Sequence, residues 1–273
     1  MTQRILLLTR ITSEKEQNVQ TIAIITGASS GLGWEFATQL DAGERVDAFW
    51  LIARRKERLE ALAQTLTTPA RIFAGDLTDS AFLETIRLAL RTESVAIQTL
   101  VNSAGFGKIG SVEALGEEEN AAMISLNVLA LSRITSICLP YMQRGGSIFQ
   151  LASVAAFLPQ PEFAVYAATK AFVLRYSRAL HRELQPQKIT VTAVCPNPVE
   201  TEFFVQAGSP GAVSAIKKIG VEQAQTVVKT AIRRAKRGKD ISLSSRVAKS
   251  IHVLSKILPH GFVLWVEKHM GMY

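Results

Sequence analysis

Cysteine is nearly absent from this 273-residue chain: there are two, Cys138 in "SICLP" and Cys195 in "TAVCP", each inside an apolar run. They read as buried thiols rather than a disulfide, which suits a reducing compartment. The four histidines are scattered, and no His/Cys spacing matches a zinc site, so no metal is expected. At the N-terminus the apolar run between Arg4 and Arg10 is too short for a signal-peptide core. No stretch approaches the roughly 20 apolar residues that span a bilayer. Pro- or Ser-rich linkers and short repeats are missing as well, which argues for one domain. These absences point to a cytoplasmic protein.

Acidic residues are scarce in one region. The net charge is +8, and the excess lies between Lys217 and Lys256, where only Glu222 and Asp240 oppose a series of lysines and arginines. Such a local field attracts an anionic ligand or an anionic membrane. No nucleic-acid reading motif accompanies it, so nucleic acid is not expected as a partner. Otherwise the composition is ordinary for a globular protein, with 48% apolar and 20% charged residues.

What is present is alternation. Apolar, β-branched runs such as "QTIAIIT" (20–26), "VDAFWLIA" (46–53) and "ARIFAGDL" (70–77) are separated by segments of helical periodicity, such as "GLGWEFATQLDAG" (31–43). The pattern continues with a strand at 96–105, a long helix over about 117–139, a strand at 146–153 and a helix over about 164–184. A strand at 188–196, a basic helix near 222–237 and a short strand at "DISLS" complete it. Near-continuous apolar strands divided by helices predict an α/β, Rossmann-like doubly wound parallel sheet. The expected organisation is an N-terminal extension (1–20), one catalytic domain (20–245) including a substrate segment at 197–220, and a helical tail (246–273) packed on it.

The first strand ends in "TGASSGLG" (26–33). Gly27, Gly31 and Gly33 allow a tight turn and close approach to a pyrophosphate, and the following helix offers unpaired N–H groups. Ser29, Ser30 and Leu32 fall within the same loop. A glycine loop also serves plain turns, but its place between the first strand and a helix is the context that dinucleotide binding requires. At the end of the second strand an NAD site usually carries an acid. Here "LIARRKER" places Arg54 and Arg55 instead, which favours the 2′-phosphate of NADP(H). The plainer reading is that they cap a solvated strand end.

In "YAATK", Tyr166 and Lys170 stand four apart and share one helix face. Taken alone the pair is compatible with a solvated face. Its neighbours change that. In order along the chain, TGASSGLG, "AGDLTD", "NSAG", "SLNVLA", "LASVAAF", YAATK and "PNPVET" resemble the motifs of the short-chain dehydrogenase/reductase family over about residues 20–205. The resemblance implies that Asp76 and Leu77 meet the adenine. It also implies that Asn102, Ala104, Gly105, Pro196, Val199 and Thr201 contact the cofactor. Asn197 replaces the family's glycine; Asn tolerates positive φ better than most residues, so the turn should survive.

The same resemblance implies a tetrad of Asn127, Ser153, Tyr166 and Lys170. Tyr166 would donate the proton in carbonyl reduction, and Ser153 would bond the substrate oxygen. Lys170 would hold the nicotinamide ribose, and Asn127 would kink its helix and hold a relay water. A cation about 5 Å from a phenol contributes on the order of 3 kcal/mol at an effective dielectric near 20. That is roughly two pKa units, so Lys170 is expected to lower Tyr166.

Phe157, Leu158, Phe163, Phe203 and Phe204 suggest an apolar pocket, favouring a lipid, steroid or acyl ketone over a sugar. In the tail, Val247, Ile251, Leu254 and Leu258 lie at helical spacing with Lys249, His252 and Lys256 largely opposite. This reads as a helix packed on the domain or, alternatively, as one lying on an anionic membrane. The resemblance also implies a homodimer or homotetramer paired through the helices near 117–139 and 164–184. The rival to an enzyme is a catalytically vestigial NADP(H)-binding sensor or membrane-docked scaffold.

Overall fold

Alternate side chains of the first strand face opposite ways, and the two faces are equally apolar. In β1 (Gln20–Thr26), Ile22 and Ile24 enter one hydrophobic layer while Ala23 and Ile25 enter the other. A strand buried on both faces needs helices on both sides. The computed structural model describes residues 19–203 and 220–269, and it supplies them. The N-terminal extension and Phe204 lie outside the described residues, as does most of the expected substrate segment.

Helix α1 (Gly31–Gly43) follows β1, then come β2 (Ala48–Ala53), α2 (Lys56–Thr65), β3 (Ala70–Ala74), α3 (Ser80–Thr92) and β4 (Val95–Asn102). The second half runs α4 (Val112–Ile124), a wider π turn (Ser125–Ala130), α5 (Leu131–Cys138), β5 (Met142–Leu151), α6 (Ala164–Glu183) and β6 (Thr190–Val194). It ends with α7 (Ala224–Ala235), β7 (Ile241–Ser242), α8 (Arg246–Ile257) and α9 (His260–His269). The strands form one seven-stranded sheet in the order β3-β2-β1-β4-β5-β6-β7, and every pairing is parallel. Strand order reverses between β1 and β4, and a crevice opens there at the carboxyl ends of the strands. One face of the sheet carries Trp50, Ile52 and Leu100 against Leu83, Ile86 and Ile134. The other carries Phe49, Leu51 and Phe149 against Phe36, Leu59 and Val228.

Two expectations need correcting. The helical run Val112–Tyr141 is long and apolar enough to cross a membrane by length and composition, although 44% of its most apolar window is buried inside the protein. Within it Ala130 and Ile134 are buried against the sheet, and Met123 and Leu131 in smaller clusters beside it, while Val112, Ile124 and Leu129 are exposed. A short helical turn precedes the expected helix, divided from it by the kink at Gly116 (φ 71). The tail is the second correction. It forms two helices; of the expected stripe Val247 and Ile251 turn inward, beside the buried Ala248, while Leu254 does not. His252, placed opposite that stripe by periodicity, instead packs on Phe157 with ring centroids 4.6 Å apart. Leu254, Val253 and Ile257 face outward, as do Phe262 and Trp265 of α9.

Candidate active site

The β1–α1 turn is shaped by its glycines. Gly27 (φ 66) and Gly31 (φ 54) adopt left-handed conformations, which cost a side-chain-bearing residue about 1–3 kcal/mol. A Cβ on Gly27 would stand 2.7 Å from the backbone N of Ala104, and one on Gly33 would stand 2.3 Å from the carbonyl oxygen of Gly27. Gly33 therefore serves the packing of the loop on itself. Thr26 Oγ1 accepts from the N–H groups of Ser103 and Ala104 at 3.1 and 3.2 Å, fixing the end of β4 against the loop.

A single cleft of about 1300 Å³ runs along the carboxyl ends of the strands. Gly27, Ser29, Ser30, Gly31 and Leu32 line it, with Arg54, Arg55, Asp76, Leu77, Ala104 and Gly105. So do Ser153, Tyr166, Lys170, Pro196, Val199 and Thr201. Its volume exceeds the 300–1,000 Å³ or so of a site for one drug-sized molecule, leaving room for a dinucleotide beside a substrate. The loop fits a pyrophosphate: Ser30 caps α1 without a side-chain hydrogen bond, and the first turn of that helix has no acidic residue.

Asn102 is a correction. Its side chain does not line the cleft; it is 2% exposed and donates to Thr135 Oγ1 at 2.9 Å and Gln150 Oε1 at 3.1 Å. It ties β4 to β5 and α5. Asn197 is another. Its φ is not positive, so the replaced glycine meets no strain there. Its backbone N–H donates to the buried Glu222 carboxylate at 2.8 Å, and its amide reaches Gly220 O and Ser245 Oγ at 3.4 and 3.3 Å. Glu222, an acid with no motif around it, thus holds the 196–201 segment.

At the end of β2, Arg55 donates from Nε and Nη2 to Ser29 Oγ at 3.3 and 3.2 Å. Glu202 bridges Arg55 and Arg58 at 2.7 and 2.6 Å. The Arg55 hydrogen bond, with the charges of both arginines, holds the Glu202 carboxyl below the usual range. Burial would raise Asp76, but hydrogen bonds from Thr78 and the Arg54 charge bring it below its ordinary value.

Helix α6 begins just after Phe163, and its first two turns present Tyr166 and Lys170 to the cleft. Tyr166 stacks on Phe163 at 4.2 Å and meets Phe203 at 5.6 Å between ring centroids. Ser153 follows β5 and lines the cleft beside Tyr166, its hydroxyl accepting from Ala155 N at 3.2 Å. Lys170 Nζ lies 5.6 Å from the Tyr166 ring centroid and donates to Leu151 O at 2.7 Å. Burial pushes the phenol up to about 12, with the Ser153 hydroxyl pulling the other way. It pushes Lys170 down to about 8. The phenol therefore lies above its ordinary value rather than below it as expected, because burial outweighs the influence of the Ser153 hydroxyl.

Asn127 sits in the π turn, fully buried behind the cleft. Its Oδ1 accepts from Phe106 N at 3.0 Å, and its Nδ2 donates to Phe106 O at 2.8 Å and to Thr169 Oγ1 at 3.1 Å. A Cβ on Gly105 would meet Asn127 Oδ1 at 2.8 Å and Lys170 Nζ at 3.4 Å, so both polar groups converge on that glycine. Of the expected apolar lining, Leu158, Phe163 and Phe203 face the cleft, while Phe157 belongs to the core beneath α8.

A crevice at the strand-order reversal, a glycine loop and a Ser–Tyr–Lys group define a dinucleotide-dependent oxidoreductase. Residues 21–210 match the family described as short chain dehydrogenase, and the chain belongs to that family. It is 33% identical over 184 residues to an uncharacterized oxidoreductase of Staphylococcus epidermidis, covering 67% of this chain and 79% of that one. To sulfoacetaldehyde reductase 2 of Chromohalobacter salexigens it is 34% identical over 203 residues, covering 71% and 79%. A short-chain dehydrogenase from Sphingobium yanoikuyae, solved with NADPH, superposes with a TM-score of 0.72 at 32% identity, covering 82% and 87%. The protein is accordingly an oxidoreductase acting between CH–OH and C=O groups.

Proposed function

We propose that this protein is an NADP(H)-dependent enzyme interconverting an apolar ketone and its secondary alcohol. The observation that carries the reading is the placement of the Ser153 and Tyr166 hydroxyls together in the cleft, with Lys170 one turn along α6. The cofactor, when bound, supplies the hydride. Gly27, Gly31 and the open N-terminus of α1 bind its phosphates, and Arg54 and Arg55 recognise the 2′-phosphate. The NADPH in the Sphingobium relative supports that choice.

Ser153 Oγ positions the substrate oxygen and stabilises charge developing on it. Tyr166 Oη carries the proton delivered to that oxygen. A phenol held near 12 stays protonated at neutral pH, which suits the reducing direction. Lys170 Nζ engages the nicotinamide ribose, and Asn127 keeps the Phe106 backbone and α6 in register behind it. Phe163, Phe203, Leu158, Val247 and Ile251 exclude water and favour a lipid, steroid or acyl ketone. The two buried thiols suit a cytoplasmic setting.

Titration with NADPH and NADH, then a carbonyl panel with the tighter cofactor, tests this. Tyr166→Phe should lower turnover roughly 10²- to 10⁴-fold while NADPH affinity stays in place; retained turnover overturns the role of Tyr166. The sensor or membrane-docked scaffold is the second reading, favoured by the outward Val253, Leu254, Ile257, Phe262 and Trp265. Turnover of any carbonyl in the panel removes it as the sole role.

A further inference from the structure

At the rim of the cleft, where β2 ends, a carboxylate occupies ground that suits a phosphate. Glu202 Oε2 lies 2.7 Å from Arg55 Nη1, and Oε1 lies 2.6 Å from Arg58 Nη2. Arg55 gives its other edge to Ser29 of the glycine loop, donating to Oγ as above and from Nη2 to Ser29 O at 3.4 Å. Ser29, Arg55 and Glu202 all line the cleft. An anion forked between two guanidinium groups has the charge and geometry of a bound phosphate. The Arg55 and Glu202 side chains are 41% and 38% exposed, and pairs so open to water contribute little to stability. The cluster therefore does more for ligand choice than for the fold.

We propose that Glu202 is a cofactor-selectivity residue that competes with the 2′-phosphate for Arg55 and Arg58. The inference rests on the reading of the β2-end arginines as the 2′-phosphate site. A cofactor bearing that phosphate must displace the carboxylate. One bearing a 2′-hydroxyl leaves it in place. The apparent affinity for NADPH is thus reduced by the share of molecules in which Glu202 holds the arginines, and the preference over NADH is narrowed. The dipeptide also spans the cleft, because Phe203, next in the chain, packs against Tyr166.

The test is calorimetric titration of the full chain and of Glu202→Gln with NADPH and NADH. The glutamine keeps size and polarity but removes the competing charge. Glu202→Gln should bind NADPH roughly three- to tenfold more tightly, as two exposed ion pairs are lost, while its NADH affinity is unchanged. Unchanged NADPH affinity overturns the proposal. Weaker NADPH binding also overturns it, since that is the result expected of a carboxylate that orients the arginines for the phosphate. If wild-type protein binds NADH as tightly as NADPH, and Arg55→Ala leaves both constants unmoved, the cofactor reading itself falls. Wild-type preference for NADPH with no gain in Glu202→Gln removes the competitor role alone.

Discussion

At the scale of the residue, Lys170 carries the cost of a buried charge. A lysine whose pKa falls from 10.5 to about 8 on folding binds its proton more weakly in the native than in the unfolded chain. Between those values the unfolded state holds more protons, so stability rises with pH. The penalty is full below about pH 8 and is relieved as pH approaches 10.5. Tyr166, raised to about 12, acts oppositely above pH 10, where the unfolded phenol ionises first. Relative to Lys170→Met, wild-type protein should therefore gain on the order of 3 kcal/mol from pH 7 to 10. Urea unfolding at several pH values checks this; a flat difference between the two proteins would show that Lys170 is not desolvated. The types and spacing of Tyr166, Lys170 and Ser153 were legible in the sequence because their chemistry needs those groups. Burial is not legible in a sequence, and it is burial that sets the direction of the Tyr166 shift. Nor could Asn102 be seen turning from the cleft, since its partners Thr135 and Gln150 are distant in the chain.

At the scale of the element, the β1–α1 turn is the tightest joint. Gly27→Ala forces φ 66 on a residue with a side chain and drives its Cβ to 2.7 Å from the Ala104 backbone. The variant should lose at least about 1–3 kcal/mol of stability and most of its NADPH affinity, as read by urea unfolding and by titration. Strands and core helices were readable because one periodicity dominated each: both faces of β2 are buried, and α6 was bounded to within a residue. The tail resisted reading for the opposite reason. In α8, Val247, Ile251, Val253, Leu254 and Ile257 supply apolar residues on more than one face. Packing against the cluster that includes Val154, Phe157 and Leu243 selects which edge turns inward. The π turn at Ser125–Ala130 has no periodic signature; it is set by the hydrogen bonds of Asn127 to Phe106 and Thr169.

At the scale of the molecule, apolar side chains left outside on α4 and α6 bear on assembly. Ile124 is 48% exposed and Phe172 is 40% exposed, on the helices through which we propose that subunits pair. The double substitution Ile124→Glu, Phe172→Glu should convert an oligomer to monomer in light scattering without loss of helical circular dichroism. A wild-type protein that is already monomeric would remove the assignment. Because all pairings in the sheet are parallel, no two neighbouring strands are joined by a hairpin, and each contact waits on a crossover. β1 must find β4, the end of which carries Ser103 and Ala104, across more than seventy residues. Such a topology closes long loops before any contact rewards them, and it folds slowly for its size. The cleft draws on the ends of β1, β2, β4, β5 and β6, so a complete site needs both halves of the sheet. During refolding, cofactor affinity arrives late and together with the sheet.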